Sequence, residues 1–216
     1  MLLRWGQVRP IALTPILLGA AIFAIASSPA PGHAEAGDAN RQVAQLYQLQ
    51  AAFHRAASVH DPVNGDSAAV IDQRIRDMVS LWTEDGVLTA GGPPATAGNY
   101  IGRGDPADPS TCPMPSANPA NRGTLCTLFK FVSGSFQAAN KFVSLAPSYK
   151  TRFDISGNTA SFYFECHYFN VAIDPGTGKP LWTAAAHLTL EGTARKVNST
   201  WLFAIGGGPP AGIPIP

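Results

Sequence analysis

Residues 163–169 read YFECHYF. Glu165, Cys166 and His167 are three side chains in a row that can bind a metal or move a proton. Which of them can act together depends on where a strand would point them. Side chains alternate along a strand. Tyr163, Glu165, His167 and Phe169 therefore share one face, and Phe162, Phe164, Cys166 and Tyr168 the other. Cys166 cannot join Glu165 and His167 in one site. The next alternating run separates Trp182, Ala184, Ala186, Leu188 and Leu190 from Thr183, His187, Thr189 and Glu191. A hairpin centred near Thr177 sets His167 opposite His187 and Glu165 opposite Thr189, with opposed Cβ atoms about 5 Å apart. Lys150, Arg152 and Asp154 extend the polar face. Two imidazoles and a carboxylate could move a proton at neutral pH if that face lined an interior. In the competing arrangement the apolar face packs on helices, and the histidines look out to solvent or to a second subunit. The apolar residues of one strand face need burial more than two histidines do, which favours the second arrangement.

The elements that would position these groups are legible in the periodicity. Asn40 can cap a helix whose apolar face carries Val43, Leu46, Tyr47, Phe53 and Ala57 as far as His60. Asp61-Pro62 and Asn64-Gly65 end it. Asp66 or Ser67 caps a second helix with Ile71, Ile75, Met78, Val79 and Trp82 on its stripe, stopped at Gly86. Val87-Leu88-Thr89 forms a short strand. Leu125, Leu128, Phe129, Val132 and Phe136 space a third helix. The period then changes to two, with strands over 148–155, 160–173, 181–192 and 200–205. Asp174-Pro175-Gly176-Thr177-Gly178 makes a hairpin loop. Helices followed by an antiparallel meander give an α+β fold with one sheet face covered.

The chain has 216 residues, a formal net charge of +1 and 13 % charged residues. That is enough length for one domain with a real core. The charge balance argues against nucleic-acid binding. Arg4 and Arg9, the apolar stretch from Ile11 to Ala26, and Ala34-Glu35-Ala36 together read as a secretory signal peptide over 1–36. After its removal no apolar run is long enough to span a bilayer, and the domain covers 37–206. The expected location is periplasmic or extracellular. Residues 91–123 form a proline-rich loop insertion, within which NYIGRGD adds a short strand or turn. The prolines and a bridge make it stiff rather than floppy. Residues 207–216 are a Gly/Pro tail. In an oxidising compartment Cys112 and Cys126 are expected to pair, leaving Cys166 a free buried thiol. The three cysteines match no zinc spacing. No nucleotide loop or nucleophile elbow is present, and no metal or other cofactor is implied.

The layout resembles the NTF2-like superfamily, in particular its SnoaL-like branch. The residues that carry the resemblance are MVSLWTEDGVLTA at 78–90, DISGNTASFYFECHY at 154–168 and HLTLEGTARKVNSTWLF at 187–203. The resemblance covers about residues 40–206. It implies three N-terminal helices packed on a curved antiparallel sheet, a cone that leaves an apolar pocket. Members include isomerases, dehydratases, cyclases and plain binding modules, so the fold alone does not fix the chemistry. Several enzymes of the superfamily use a tyrosine of the first helix and an acid just after it. The matching residues here are Tyr47 with Asp61 or Asp66. Against that role, Tyr47 reads equally as a core aromatic and the aspartates as caps or turn residues. His54 reads as solvated and enters only as a third catalytic candidate. Tyr168, Cys166, Tyr149 and Trp201 are further pocket candidates. Dehydratases of the branch carry a histidine on the strand before the Gly-Asn-x-Ala turn, and KFVSLAPSYKTRFDI has none.

The sequence therefore points to an exported domain that holds a small, largely apolar molecule. An isomerase, dehydratase or cyclase using Tyr47, Asp61 and His54 is one alternative. A non-catalytic module that forms a homodimer through its sheet face is another.

Overall fold

The computed structural model describes residues 31–91, 96–105, 107–137, 141–145 and 150–207. The arginines and apolar stretch of the expected signal peptide, Tyr149, and the tail beyond 207 lie outside them.

Helix α1 spans Pro31–Ala57 and helix α2 Ala68–Ser80. Strand β1 covers Trp82–Ala90 and β2 Gly98–Ile101. Helix α3, Leu125–Phe131, passes into a π-helical turn over Val132–Gln137. Strands β3 (Phe142–Leu145), β4 (Arg152–Ser156), β5 (Thr159–Ile173), β6 (Pro180–Val197) and β7 (Thr200–Gly207) follow among the described residues. Among the described residues the seven strands form one sheet, six of them in the order β2-β1-β7-β6-β5-β3 and β4 beside β5 off this path. Strands β3 and β4 pair with opposite ends of β5. All pairs are antiparallel except β1–β7. The architecture is α+β, with three helices and a largely antiparallel sheet, as the periodicity implies.

Ser67 caps α2 through its side chain, which accepts from Val70 N–H. Thr124 and Thr127 cap α3 reciprocally, so two otherwise orphaned amide groups are satisfied. Two helix boundaries differ from the sequence reading by more than a turn. Helix α1 begins at Pro31 rather than at Asn40, and so runs through the expected cleavage site. Helix α2 stops at Ser80 rather than at Gly86. There Leu81 caps it, the Leu81 carbonyl accepts from Phe203 N–H, and Trp82 already pairs with Phe203 of β7. Trp82 is thus a fully buried strand residue rather than part of a helical stripe.

One β-bulge matters for the faces. Tyr168 pairs with Ala186 but Phe169 with Ala184, so β6 holds an extra residue, Ala185. A bulge shifts the alternation by one. Trp182 and Ala184 therefore join the face of Phe169 instead of continuing the Ala186–Leu188–Leu190 row. Trp182 packs on Phe169 at 6.2 Å between ring centroids and stays half exposed.

The core lies between the helices and the opposite sheet face. Phe53, Phe162, Phe164 and Phe203 meet there with centroids 4.9–6.1 Å apart. Edge-on and offset ring pairs of this kind add stabilisation beyond burial. The loop before α3 is ordered by its own polar contacts. Arg122, buried, donates to the carbonyls of Ala97 and Ser116, and the Tyr100 hydroxyl donates to Thr96 O. Cys112 and Cys126 are bonded across this loop, and Cys166 is free and buried. No helix among the described residues is long and apolar enough to cross a membrane.

Candidate functional site

Two groups of polar side chains stand out, one on each face of β5. The inner group begins on α1. Leu46, Leu49, Gln50, Phe53, His54 and Ala57 are its buried face. Their spacing of three and four residues makes one stripe along the helix. His54 belongs to that stripe, four residues after Gln50, and is only 8 % exposed. Its expected solvation is therefore wrong. The Nδ1 atom of His54 lies 2.8 Å from Ser144 Oγ on β3. Its Nε2 atom is buried with no hydrogen-bond partner. Either tautomer leaves Nε2 open: a donor in one, a lone-pair base in the other. Burial, assisted by the nearby His167 charge, lowers the His54 pKa to about 4. The imidazole is neutral at pH 7.

Ser144 is held by Ser58, whose hydroxyl accepts from Ser144 N–H at 2.8 Å and donates to the His54 carbonyl at 2.7 Å. Tyr168 faces the same region. Burial pushes its phenol far above the usual range, Cys166 adds to that, and Ser144 opposes it. Burial likewise raises the Cys166 thiol, which is inert as a nucleophile in that state. Gln50 donates to Thr151 Oγ1 at 2.8 Å, closing the polar row along α1.

Tyr47 and Asp61 are not part of this group. Tyr47 follows Leu46 by one residue, which turns it about 100° away around a helix of 3.6 residues per turn. It is 42 % exposed and sets its ring edge-on against Phe153. Asp61 lies past the end of α1, on its own turn. Its carboxylate accepts from the amides of Val63 and Asn64 and from the Asn64 side chain, which holds its pKa below the usual range. Asp66 is committed elsewhere, to Arg74. The structure does not bring Tyr47 and either acid together. Trp201 is buried, on the last strand.

The outer group contains the residues with which the sequence reading began. His167 stands directly opposite His187, and Glu165 opposite Thr189. Cys166 points to the other face, beside Leu188. The two imidazole side chains keep 26 and 25 % exposure, whereas the Glu165 side chain keeps 8 %. The histidines thus look outward, and the arrangement in which they line the interior is excluded. Glu165 Oε2 is 3.0 Å from His167 Nε2 and 3.1 Å from His187 Nε2. Lys150 Nζ and the Tyr163 hydroxyl both donate to the other oxygen, Oε1, at 3.1 and 3.3 Å. Burial raises the Glu165 pKa, but the bonds from His167 and Lys150 and the Lys150 and His187 charges outweigh it and hold the carboxyl at about 2.

Sequence reasoning placed the outer group by strand alternation and the expected hairpin centre. It missed Ser144 and undervalued His54, although the i, i+4, i+8 spacing of Leu46, Gln50 and His54 was there to be read.

No protein-family model and no curated protein matches the chain. Solved structures similar to it include an NTF2-like protein with a cystatin-like fold from Novosphingobium aromaticivorans, 12 % identical, covering 80 % of this chain and 85 % of that one at a TM-score of 0.47. Another is an NTF2-like protein of unknown function from Pseudomonas putida, 11 % identical, covering 76 % and 83 % at 0.46. A third is a protein of unknown function with a cystatin-like fold from Nostoc punctiforme, 10 % identical, covering 76 % and 86 % at 0.45. These are similarities of chain arrangement, and no residue role is taken from them.

Proposed function

We propose that this is an exported domain that holds a small, largely apolar molecule between α1 and the sheet, with His54 as its polar contact. The observation that carries the reading is the buried His54 Nε2 without a partner. Leaving a buried polar atom unpaired costs about 1–3 kcal/mol. A ligand with one hydrogen-bonding group among apolar carbons would recover that cost and match the surrounding Phe53 and Phe164 rings. Export is supported by the N-terminal pattern and by the Cys112–Cys126 bond, a feature of oxidising compartments.

A catalytic role rests on the same atom. A neutral imidazole whose Nδ1–H donates to Ser144 is oriented to take a proton through Nε2. This supports a proton-transfer reaction such as isomerisation or dehydration, with His54 in place of Tyr47 and Asp61.

The test is nitrogen NMR of the histidine side chains during titration with a cyclic ketone, a phenol and a medium-chain fatty acid. At least one of these should move the His54 Nε2 signal saturably while leaving exposed His60 unchanged. If all three leave His54 Nε2 where it was, the interior is not the ligand site.

A further inference from the structure

The geometry points to a divalent transition-metal site on the outer sheet face, formed by Glu165, His167 and His187 and of the kind that takes zinc. This site is separate from the interior and does not depend on a ligand there. Three ligand atoms, one from each residue, lie within 4.8 Å of one another. The distances from Oε2 to the two Nε2 atoms are 3.0 and 3.1 Å. Ligands bound tetrahedrally at about 2.0–2.1 Å stand roughly 3.3 Å from each other, so the two oxygen–nitrogen edges need open only slightly to admit the ion, while the two imidazoles adjust about it. Two imidazoles and a carboxylate are a donor set that suits zinc and its neighbours rather than magnesium or calcium.

Three features make this a built site. The first is rigidity: Glu165 and His167 are two residues apart on β5, and His187 is the direct cross-strand partner of His167. Side chains on paired strands are positioned more closely than those on loops. The second is the support given to the carboxylate. Lys150 and Tyr163 hold Oε1 and leave Oε2 for the shared position. Such outer partners orient a metal-binding carboxylate. The third is His187 Nε2 itself. It is buried and close to Oε2, but off the line of a hydrogen bond, so it has no hydrogen-bond partner. A metal ion would accept its lone pair. The partial exposure of both histidines leaves a side open to solvent, where water would complete the coordination.

The experiment uses tag-free, chelator-treated full-length mature protein and calorimetric titration with Zn²⁺, with Mg²⁺ as the hard-cation control. One Zn²⁺ per chain and no Mg²⁺ heat are expected. Glu165→Gln and His187→Asn should each weaken Zn²⁺ more than Tyr163→Phe does, the latter being an outer-partner change of about 10-fold. A readout on the unaltered protein guards against variants that do not fold. Zn²⁺ should protect His167 and His187, but not exposed His60, from acylation by diethylpyrocarbonate. Absence of saturable Zn²⁺ binding, equal binding by the Glu165 and His187 variants, or equal acylation of His187 with and without Zn²⁺ would each overturn the proposal.

Discussion

Arg74 and Asp66 form an ion pair at 2.8 Å with side chains only 0 and 1 % exposed. The pair ties three segments together. Arg74 Nε donates to the Ala56 carbonyl near the end of α1, and Asp66 Oδ1 accepts from the amides of His60 and Asp61. Asp66→Ala leaves a buried guanidinium and two amides without that partner. Breaking a buried pair from one side costs about 3–5 kcal/mol. Denaturant unfolding should show a loss of this size. The double variant Arg74→Met/Asp66→Ala should lose less than the two single losses added together.

The depressed pKa of His54 makes stability depend on pH. In the unfolded chain the imidazole binds its proton near 6.5, and in the folded protein only near 4. Between those values the unfolded state holds more protons, so stability rises with pH. The contribution is fully present above about 6.5, is lost as pH falls, and is gone below about 4. The full difference amounts to about 3 kcal/mol. His54→Leu should flatten this part of the profile when unfolding is followed from pH 4 to 7.5. A profile equally steep in that variant would assign the slope to other groups.

Thiol titration of the oxidised, folded protein should find no fast-reacting thiol, and one after denaturation, from Cys166. The Cys112–Cys126 bond closes a loop of 14 residues in sequence separation. Its reduction should cost about 3 kcal/mol on the chain-entropy model. Two or more thiols without reductant would contradict the pairing.

Tyr47→Phe removes a hydroxyl from a half-exposed ring and keeps the edge contact with Phe153. Stability should change by no more than about 0.5 kcal/mol, as is usual at the surface. Affinity for any interior ligand should not change. A large loss of binding in this variant would restore Tyr47 to the site.

Much of this was legible in the sequence because strand alternation is a strict rule. The opposition of His167 and His187 was placed correctly, but the hairpin is centred one half-residue before Thr177, with Ile173 against Pro180, and the extra residue Ala185 restores the register that sets His167 against His187. The same rule failed beyond Tyr168, because the bulge at Ala185 leaves no mark in a run of three alanines. The helical stripe was harder to read. Tyr47 looks like a core residue, and a face drawn through it turns away from Leu49 and leaves His54 in solvent. Strand β3 has four residues, too few for a period to register, so Ser144 had no signal as the partner of His54. Glu165 could be placed on a face, but how closely Lys150, Tyr163, His167 and His187 close around its carboxylate leaves no mark in the alternation.

Whether the interior holds a ligand at His54 is decided by native mass spectrometry of the protein taken from the cells that make it. One small organic molecule per folded chain is expected, released on denaturation and missing from His54→Leu protein made in the same cells. Folded protein that carries only the mass of its own chain would contradict a ligand at His54, as would a bound molecule retained equally by the His54→Leu variant.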